Sequence, residues 1–296
     1  MEKRYVLILD PFSTSTSYMV DIQKEGYTPI CYISKVDLTG RNKSDYLNNV
    51  IKPFLVEYED SVKIIYGTGN YEEDLKKLSK YKFWAVIPGT EPSIEFANRF
   101  ARDFGLPGNP VEQSDDVRSK EQMQKRIKEA GLRYIKGKKV CSIQEAEDFL
   151  KTFESDGYIV KPVDGTGSVG LSVCSTKEET LKAVKETLGK PALYSDPSRG
   201  LMIQEKIDGV EYVVNAVCCN GRHAISDVWQ YEKIELGTDG RIYDCIKLID
   251  ILRPEHIELC EYALYTAEAL GINFGAMHGE FMVDEKGPII IEAASR

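Results

Sequence analysis

The chain has 296 residues, room for roughly two domains of ordinary size. At 42% apolar and 29% charged it has a globular composition, and its net charge of −9 argues against nucleic acid or an anionic membrane as a partner. A small anion that arrives with a divalent cation is not excluded. The seven cysteines form no C-x-x-C pair, and the adjacent Cys218 and Cys219 cannot easily close an ordinary disulfide, so free thiols in a reducing cytoplasm are expected. Residues 1–4 lead straight into a strand pattern, without a signal-peptide core or a long apolar span, which predicts a soluble, cytoplasmic protein.

In chain order, residues 5–10 read as a buried strand, followed by a Pro/Ser/Thr-rich turn, a helix to about Gly26 and a strand over 28–33. Short apolar strands follow at 62–66 and 83–87. Residues 93–104 place Ile94, Ala97, Phe100, Ala101 and Phe104 on one helical face. Strands alternating with helices predict a small α/β sheet. The run Gly105-Leu106-Pro107-Gly108-Asn109-Pro110 then breaks the pattern and sets a domain boundary after residue 112. Beyond it come a helix at 121–130, a strand from Arg133, a helix at 144–153, a glycine-rich hairpin and a helix at 177–188. Residues 201–219 and 223–233 read as antiparallel strands of a second sheet. The helix at 255–270 turns Ile257, Cys260, Ala263, Leu264, Ala267 and Leu270 inward, and strands at 277–283 and 288–293 close the chain.

The hairpin carries the first chemical signal. Gly165, Gly167 and Gly170 spell G-x-G-x-x-G within Asp164-Gly165-Thr166-Gly167-Ser168-Val169-Gly170. Tyr158-Ile159-Val160 before it and Leu171-Ser172-Val173-Cys174 after it both read as strand, which disfavours a dinucleotide-binding turn, since that needs a helix after the glycines. No G-K-[ST] closes the motif, so it is not a P-loop. A glycine-rich hairpin remains, with backbone N–H groups free to close over phosphates and Lys161 just ahead of it as the neutralising cation. Taken alone, the loop also fits a flexible hairpin without a ligand.

Downstream carboxylates add to this. An apolar strand runs into Glu205-Lys206-Ile207, and Glu211 follows on the next strand, a spacing that suits an adenine hinge and a ribose. Solvated strand-end carboxylates are the alternative. Glu280 and Glu292 sit inside otherwise apolar strands joined by the turn Asp284-Glu285-Lys286-Gly287. Buried carboxylates are costly unless paired or metal-bound, and two on facing strands can converge on a hard cation such as Mg²⁺.

The order of Lys161, glycine hairpin, Glu205-Lys206, Glu211 and the Glu280/Glu292 pair resembles the ATP-grasp superfamily across nearly the whole chain. Pro88-Gly89-Thr90-Glu91-Pro92, Gly105-Leu106-Pro107-Gly108-Asn109, Arg118-Ser119-Lys120 and residues 278–296 further resemble the ATP-grasp amino-acid ligases. Those join an amino acid's carboxylate to an amine through an acyl phosphate. The resemblance implies an α/β (α+β) fold: a small Rossmann-like pre-ATP-grasp domain over 1–112, a lid subdomain over 113–200 and a central subdomain over 201–296, with ATP between two antiparallel sheets. It implies ATP with Mg²⁺ (or Mn²⁺), small-molecule substrates and, in many relatives, a homodimer. It implies that Lys120 and Lys161 reach the phosphates and that Gly165, Thr166, Gly167, Ser168, Val169 and Gly170 cover them. Glu205 and Ile207 would meet adenine, with Lys206 at the hinge, Glu211 on the ribose and Met282 and Ile291 against the ring. Lys233 would reach the γ-phosphate, Glu280 and Glu292 would hold the metal, His278 would line the acceptor site, and Arg296 would stabilise a developing oxyanion. Two departures stand out. Ala294 occupies the place of the Asn in the family's Glu-x-Asn, and amino-acid ligases of this type usually continue past the arginine into a C-terminal lobe, so a missing or truncated lobe is expected. Phosphoryl transfer to an amide, ligation onto a peptide or carrier protein, and ATP binding without catalysis stay open beside the ligase reading.

Overall fold

A computed structural model describes residues 4–34, 53, 62–165, 169–190, 196–235 and 241–295. The chain divides into two compact units, with the break between Ser114 and Asp115. In the first unit, strands β1 (Tyr5–Leu9), β2 (Thr28–Ile33), β3 (Lys63–Tyr66) and β4 (Phe83–Pro88) form a parallel sheet in the order β3-β2-β1-β4. Its described helices are α1 (Ser17–Lys24), α2 (Tyr71–Leu78) and α3 (Ile94–Asp103). Strand β1 is central and almost wholly buried, as the unbroken apolar run 5–9 requires of a strand covered on both faces. The expected face of α3 is the buried one: Ile94, Ala97, Phe100 and Ala101 are each at most 2% exposed.

The second unit holds two antiparallel sheets. One contains β5 (Gly137–Val140), β6 (Tyr158–Pro162), β7 (Ser172–Cys174) and β8 (Leu201–Glu205) in the order β5-β8-β6-β7. The helix α4 (Lys120–Glu129) precedes it. The helices α5 (Ile143–Thr152) and α6 (Lys177–Thr187) cover one of its faces through a core of Val140, Leu150, Tyr158, Val160, Val184 and Ile203. The other sheet contains β9 (Val210–Cys219), β10 (Arg222–Glu235), β11 (Arg241–Leu248), β12 (Phe274–Asp284) and β13 (Gly287–Ser295) in the order β11-β10-β9-β12-β13. Helix α7 (Pro254–Ala269) packs on it, with the Tyr262 and Phe281 rings meeting edge to face at 5.9 Å. No described helix is long and apolar enough to cross a membrane.

Three local expectations are corrected. The stretch 201–219 is two strands in two different sheets, cut at residues 206–209. Strand β11 was not anticipated, because its alternation is interrupted by charged residues. On α7 the buried residues are Leu259, Tyr262, Ala263, Thr266 and Ala267, while Ile257 is 48% exposed. Tyr262 belongs inside because its hydroxyl has work there: it donates to the Arg133 carbonyl and accepts from Ile290 N.

The edge strand β13 is held from outside the sheet. Ile290 O accepts from the Gln124 amide of α4 at 2.9 Å, Ile290 N donates to Tyr262, and Gln124 Oε1 accepts from Ile135 N at 2.8 Å. These side chains satisfy outward backbone groups that an edge strand would otherwise leave open. Arg133 forks onto both oxygens of Asp284 at 2.6 Å, which pins the β12–β13 turn to the segment following α4. Gly209 at the 206–209 cut needs to be glycine, since a Cβ there would lie 2.4 Å from the Val283 carbonyl oxygen. Gly209→Ala is therefore expected to destabilise the second unit by about 1–3 kcal/mol. Chemical denaturation followed by tryptophan fluorescence checks this.

Candidate active site

The open face of the five-stranded sheet carries the charged groups. Along β12, His278, Glu280 and Met282 share one face, and their β9 partners Asn215, Val213 and Glu211 share it with them. Opposite Glu280 stands Glu292 of β13, although simple alternation from Ile289 would send Glu292 to the α7 side. A bulge makes the difference. Phe281 pairs with Ile290 and Glu280 with Glu292, so Ile291 is an extra residue that turns Glu292 onto the face of Glu280. The two side chains keep 24% and 30% exposure.

Two lysines from the N-terminal part of the unit converge on this pair. Lys120, the first residue of α4, places Nζ 3.2 Å from Glu292 Oε2 and donates to the Gly165 carbonyl at 2.9 Å. Lys161 on β6 is 6% exposed, and its ammonium is pushed down to about 8, by burial first and by Lys120 next, against the pull of Glu292 and Glu280. The carboxylates split in response. Burial, then Glu292 and Glu211, lift the Glu280 carboxyl to about 7. Burial also opposes ionisation of Glu292, but Lys120 and Lys161 outweigh it and hold that carboxyl below its ordinary value. Glu211 is 9% exposed and takes Lys233 Nζ at 2.6 Å.

This donor set suits a hard divalent cation. It consists of two facing carboxylates, as many as Mg²⁺ usually takes from protein when phosphates supply the rest, and among the described residues no group of three or more His, Cys, Asp or Glu is placed to hold a metal by itself. The balance of charge points the same way. Lys120, Lys161 and Lys233 stand against Glu211, Glu280 and Glu292, three of each sign, so a polyphosphate entering here must bring positive charge with it.

The remaining expected residues divide into those the fold brings to this face and those it does not. Met282 pairs with Glu211 on it, and Ile291 is the half-buried bulge residue beside it. Lys206 N donates to the Gly157 carbonyl at 2.9 Å, its ammonium pairs with Asp208 at 2.5 Å, and Ile207 is half-buried. Glu205 is engaged elsewhere: its carboxylate accepts from Lys136 N at 2.8 Å. Pairing of Lys161 with Met202 and of Ile159 with Gln204 instead puts Gln204 on the face of Lys161, with its Nε2 buried and lacking a partner among the described residues. Sequence reasoning missed Gln204. The clue was there, because Leu201 and Ile203 alternate with Met202 and Gln204 and claim the helix-covered face. In the glycine hairpin, Gly165 and Gly170 adopt left-handed φ of 101° and 79°, and Val169 is 39% exposed. Thr166, Gly167, Ser168 and Arg296 lie outside the described residues.

A polar chain also went unread in the sequence. His278 Nδ1 lies 2.8 Å from Asn215 Oδ1, and Asn215 Nδ2 donates to Asp227 Oδ1 at 2.5 Å. Asp227 also accepts from Ser226 Oγ at 2.7 Å and Trp229 Nε1 at 2.5 Å. Burial works against its charge, but these hydrogen bonds and His278 hold the carboxyl below its ordinary value.

Facing antiparallel sheets that carry lysines on one side and paired carboxylates on the other are the frame of the ATP-grasp fold, and residues 155–296 match the ATP-grasp domain family. The match begins within the second unit and takes in just under half of the chain. The chain is 27% identical over 235 residues to dapdiamide A synthase of Enterobacter agglomerans, a match covering 77% of this chain and 54% of that protein. It thus spans about half the length of this curated relative. Among solved structures, an L-amino acid ligase from Bacillus licheniformis superposes with a TM-score of 0.72 at 15% identity, over 100% of this chain and 67% of that one. A D-alanine–D-alanine ligase from Bacillus anthracis complexed with ATP does so with 0.64 at 14% identity, over 100% and 86%. At such identities the two structures speak for the fold.

The raised Glu280 carboxyl gives a signed expectation. Its native value of about 7 lies above the ordinary 4.5, so the folded protein binds this proton more tightly than the unfolded chain, and the group's contribution to stability falls as pH rises from 4.5 through 7. Glu280→Gln is therefore expected to raise the thermal unfolding midpoint at pH 8, with the gain fading toward pH 4.5. Melting curves of both proteins across this range, without divalent ions, check it.

Proposed function

We propose that this chain is an ATP-dependent ligase that joins a carboxylate to an amine through an acyl phosphate, releasing ADP and phosphate. The observation that carries the reading is the convergence of Lys120 and Lys161 on the Glu280–Glu292 pair beside the glycine hairpin. Similarity to dapdiamide A synthase and to an L-amino acid ligase supports an amino acid, or a small acid resembling one, as substrate.

In this reading Lys120, Lys161 and Lys233 bind phosphate oxygens, and residues 165–170 close over them and exclude water. The backbone at Lys206 and Ile207 reads adenine, Gln204 offers its amide to the base, Met282 and Ile291 pack against the ring, and Glu211 takes the ribose hydroxyls. Glu280 and Glu292 hold Mg²⁺, which when bound neutralises charge on the transferring phosphoryl oxygens. The substrate carboxylate attacks the γ-phosphorus and ADP leaves. An amine then attacks the acyl carbon and phosphate leaves. The chain's own contribution is positioning and charge neutralisation, so no side-chain nucleophile is required. Residues 1–112 serve as the pre-ATP-grasp domain, 113–200 as the lid and 201–296 as the central subdomain, with strand β8 of the central segment added to the lid sheet.

ADP release measured against amino acids, singly and in pairs, tests the proposal. Substrate-dependent ADP is expected, with a loss of at least about 100-fold in Lys161→Ala and in Glu292→Ala. ATP binding without substrate-dependent ADP, or unchanged turnover in both variants, would sink it.

A further inference from the structure

We propose that Trp229 and Leu248 form the floor on which the acid substrate lays its side chain, and that this substrate is an amino acid with a bulky apolar side chain. The inference rests on the ligase reading above and names the class of acid that the site selects.

The register of the five-stranded sheet arranges its open face in rows. Glu280 on β12 pairs with Val213 on β9, Val213 with Trp229 on β10, and Trp229 with Leu248 on β11. The next row runs from Met282 through Glu211 and Tyr231 to Ile246. Neighbouring strands stand about 4.8 Å apart, so Trp229 lies roughly 10 Å from Glu280 along its row. A bulge at Ser226 decides which side chains are there. Ile225 pairs with Ala216 and Asp227 with Asn215, so the extra residue turns Asp227, Trp229 and Tyr231 onto the open face.

Exposure along the row rises with distance from the carboxylates. Val213 is 1% exposed, Trp229 is half-buried and Leu248 is 63% exposed. Ile246, on the same strand and face as Leu248, keeps 49%. With the two rings they pair with, Leu248 and Ile246 make one continuous apolar surface rather than isolated exposed residues. Trp229 is held in place within it, since its Nε1 donates to Asp227 Oδ1 at 2.5 Å. Asp227, two residues away on the same face, also accepts from Asn215 and Ser226. A charged side chain laid on this surface gives up hydration against carbon, whereas an apolar one gains by covering it.

The ligase reading brings the substrate to this place. Met282 and Glu211 take the base and the ribose in one row, and the Glu280–Glu292 pair holds the phosphates in the next. The attacking carboxylate lines up with the γ-phosphorus beside Glu280. From there the row leads over Val213 onto Trp229 and Leu248. A side chain of leucine or phenylalanine size reaches the indole, and a methyl group stops short of it.

Hydroxamate formation by the full chain tests this, because hydroxylamine as a constant acceptor leaves the acid as the only variable. Leucine and phenylalanine should be used at least about 10-fold better, in kcat/KM, than alanine, glutamate or lysine. Trp229→Ala and Leu248→Ser should each lower the leucine-to-alanine ratio about 10-fold. Leu248 is largely exposed, so its replacement leaves the fold intact, and Leu248→Asp should turn the preference from leucine toward lysine. A preference for alanine or for charged acids in the unaltered protein, or an unchanged ratio in either Trp229→Ala or Leu248→Ser, would overturn the inference and leave the ligase reading standing. If no acid gives hydroxamate, the ligase reading itself fails, and this inference with it.

Discussion

Two carboxylates that face each other across β12 and β13 set the terms for the rest of the second unit. Like charges side by side in a partly buried site repel, and neither can be ionised cheaply without compensation. The fold answers with two buried ammonium groups, Lys120 and Lys161, which hold Glu292 charged while Glu280 stays near the midpoint of its titration at neutral pH. The lysines in turn repel each other, and this repulsion adds to burial, the larger cause, in depressing the proton affinity of Lys161. The result is a group of charges, each of which is tolerable only because of the others.

Such a group requires a stiff support, and the packing around Ile290 supplies it. The bulge that turns Glu292 toward Glu280 lies one residue beyond Ile290, whose outward N–H and C=O are both taken by side chains, Tyr262 from α7 and Gln124 from α4. Gln124 stands one helical turn after Lys120, so the helix that brings an ammonium to Glu292 also ties down the strand that carries Glu292. The Arg133–Asp284 fork secures the far end of the same hairpin. Position and charge are thus set by one group of contacts.

The cost of this arrangement is local and has a use. A depressed lysine and a raised glutamate both mark places where the folded state would be more stable with neutral groups. In the proposed function, a divalent cation with a polyphosphate would relieve both at once, by removing the carboxylate repulsion and giving the lysines anions to meet.

Much of this was legible in the sequence. The buried strand 5–9, the amphipathic face of 94–101, the lysine before a glycine hairpin and two glutamates inside apolar strands all follow from local periodicity and the price of burying charge. Their order along the chain, through its resemblance to the ATP-grasp superfamily, gathered them into one expected site. What the sequence left undetermined is which way side chains face where the period of two is interrupted. The extra residues Ile291 and Ser226 invert the alternation that would have sent Glu292 and Asp227 to the wrong side. The turn at 206–209 moves 201–205 into another sheet, which puts Gln204 rather than Glu205 on the face of Lys161. Tyr262 displaced Ile257 from the expected buried stripe because two backbone groups needed its hydroxyl. Bulges, sheet exchange and long-range hydrogen bonds depend on partners far away in the chain, so only the tertiary structure could decide them.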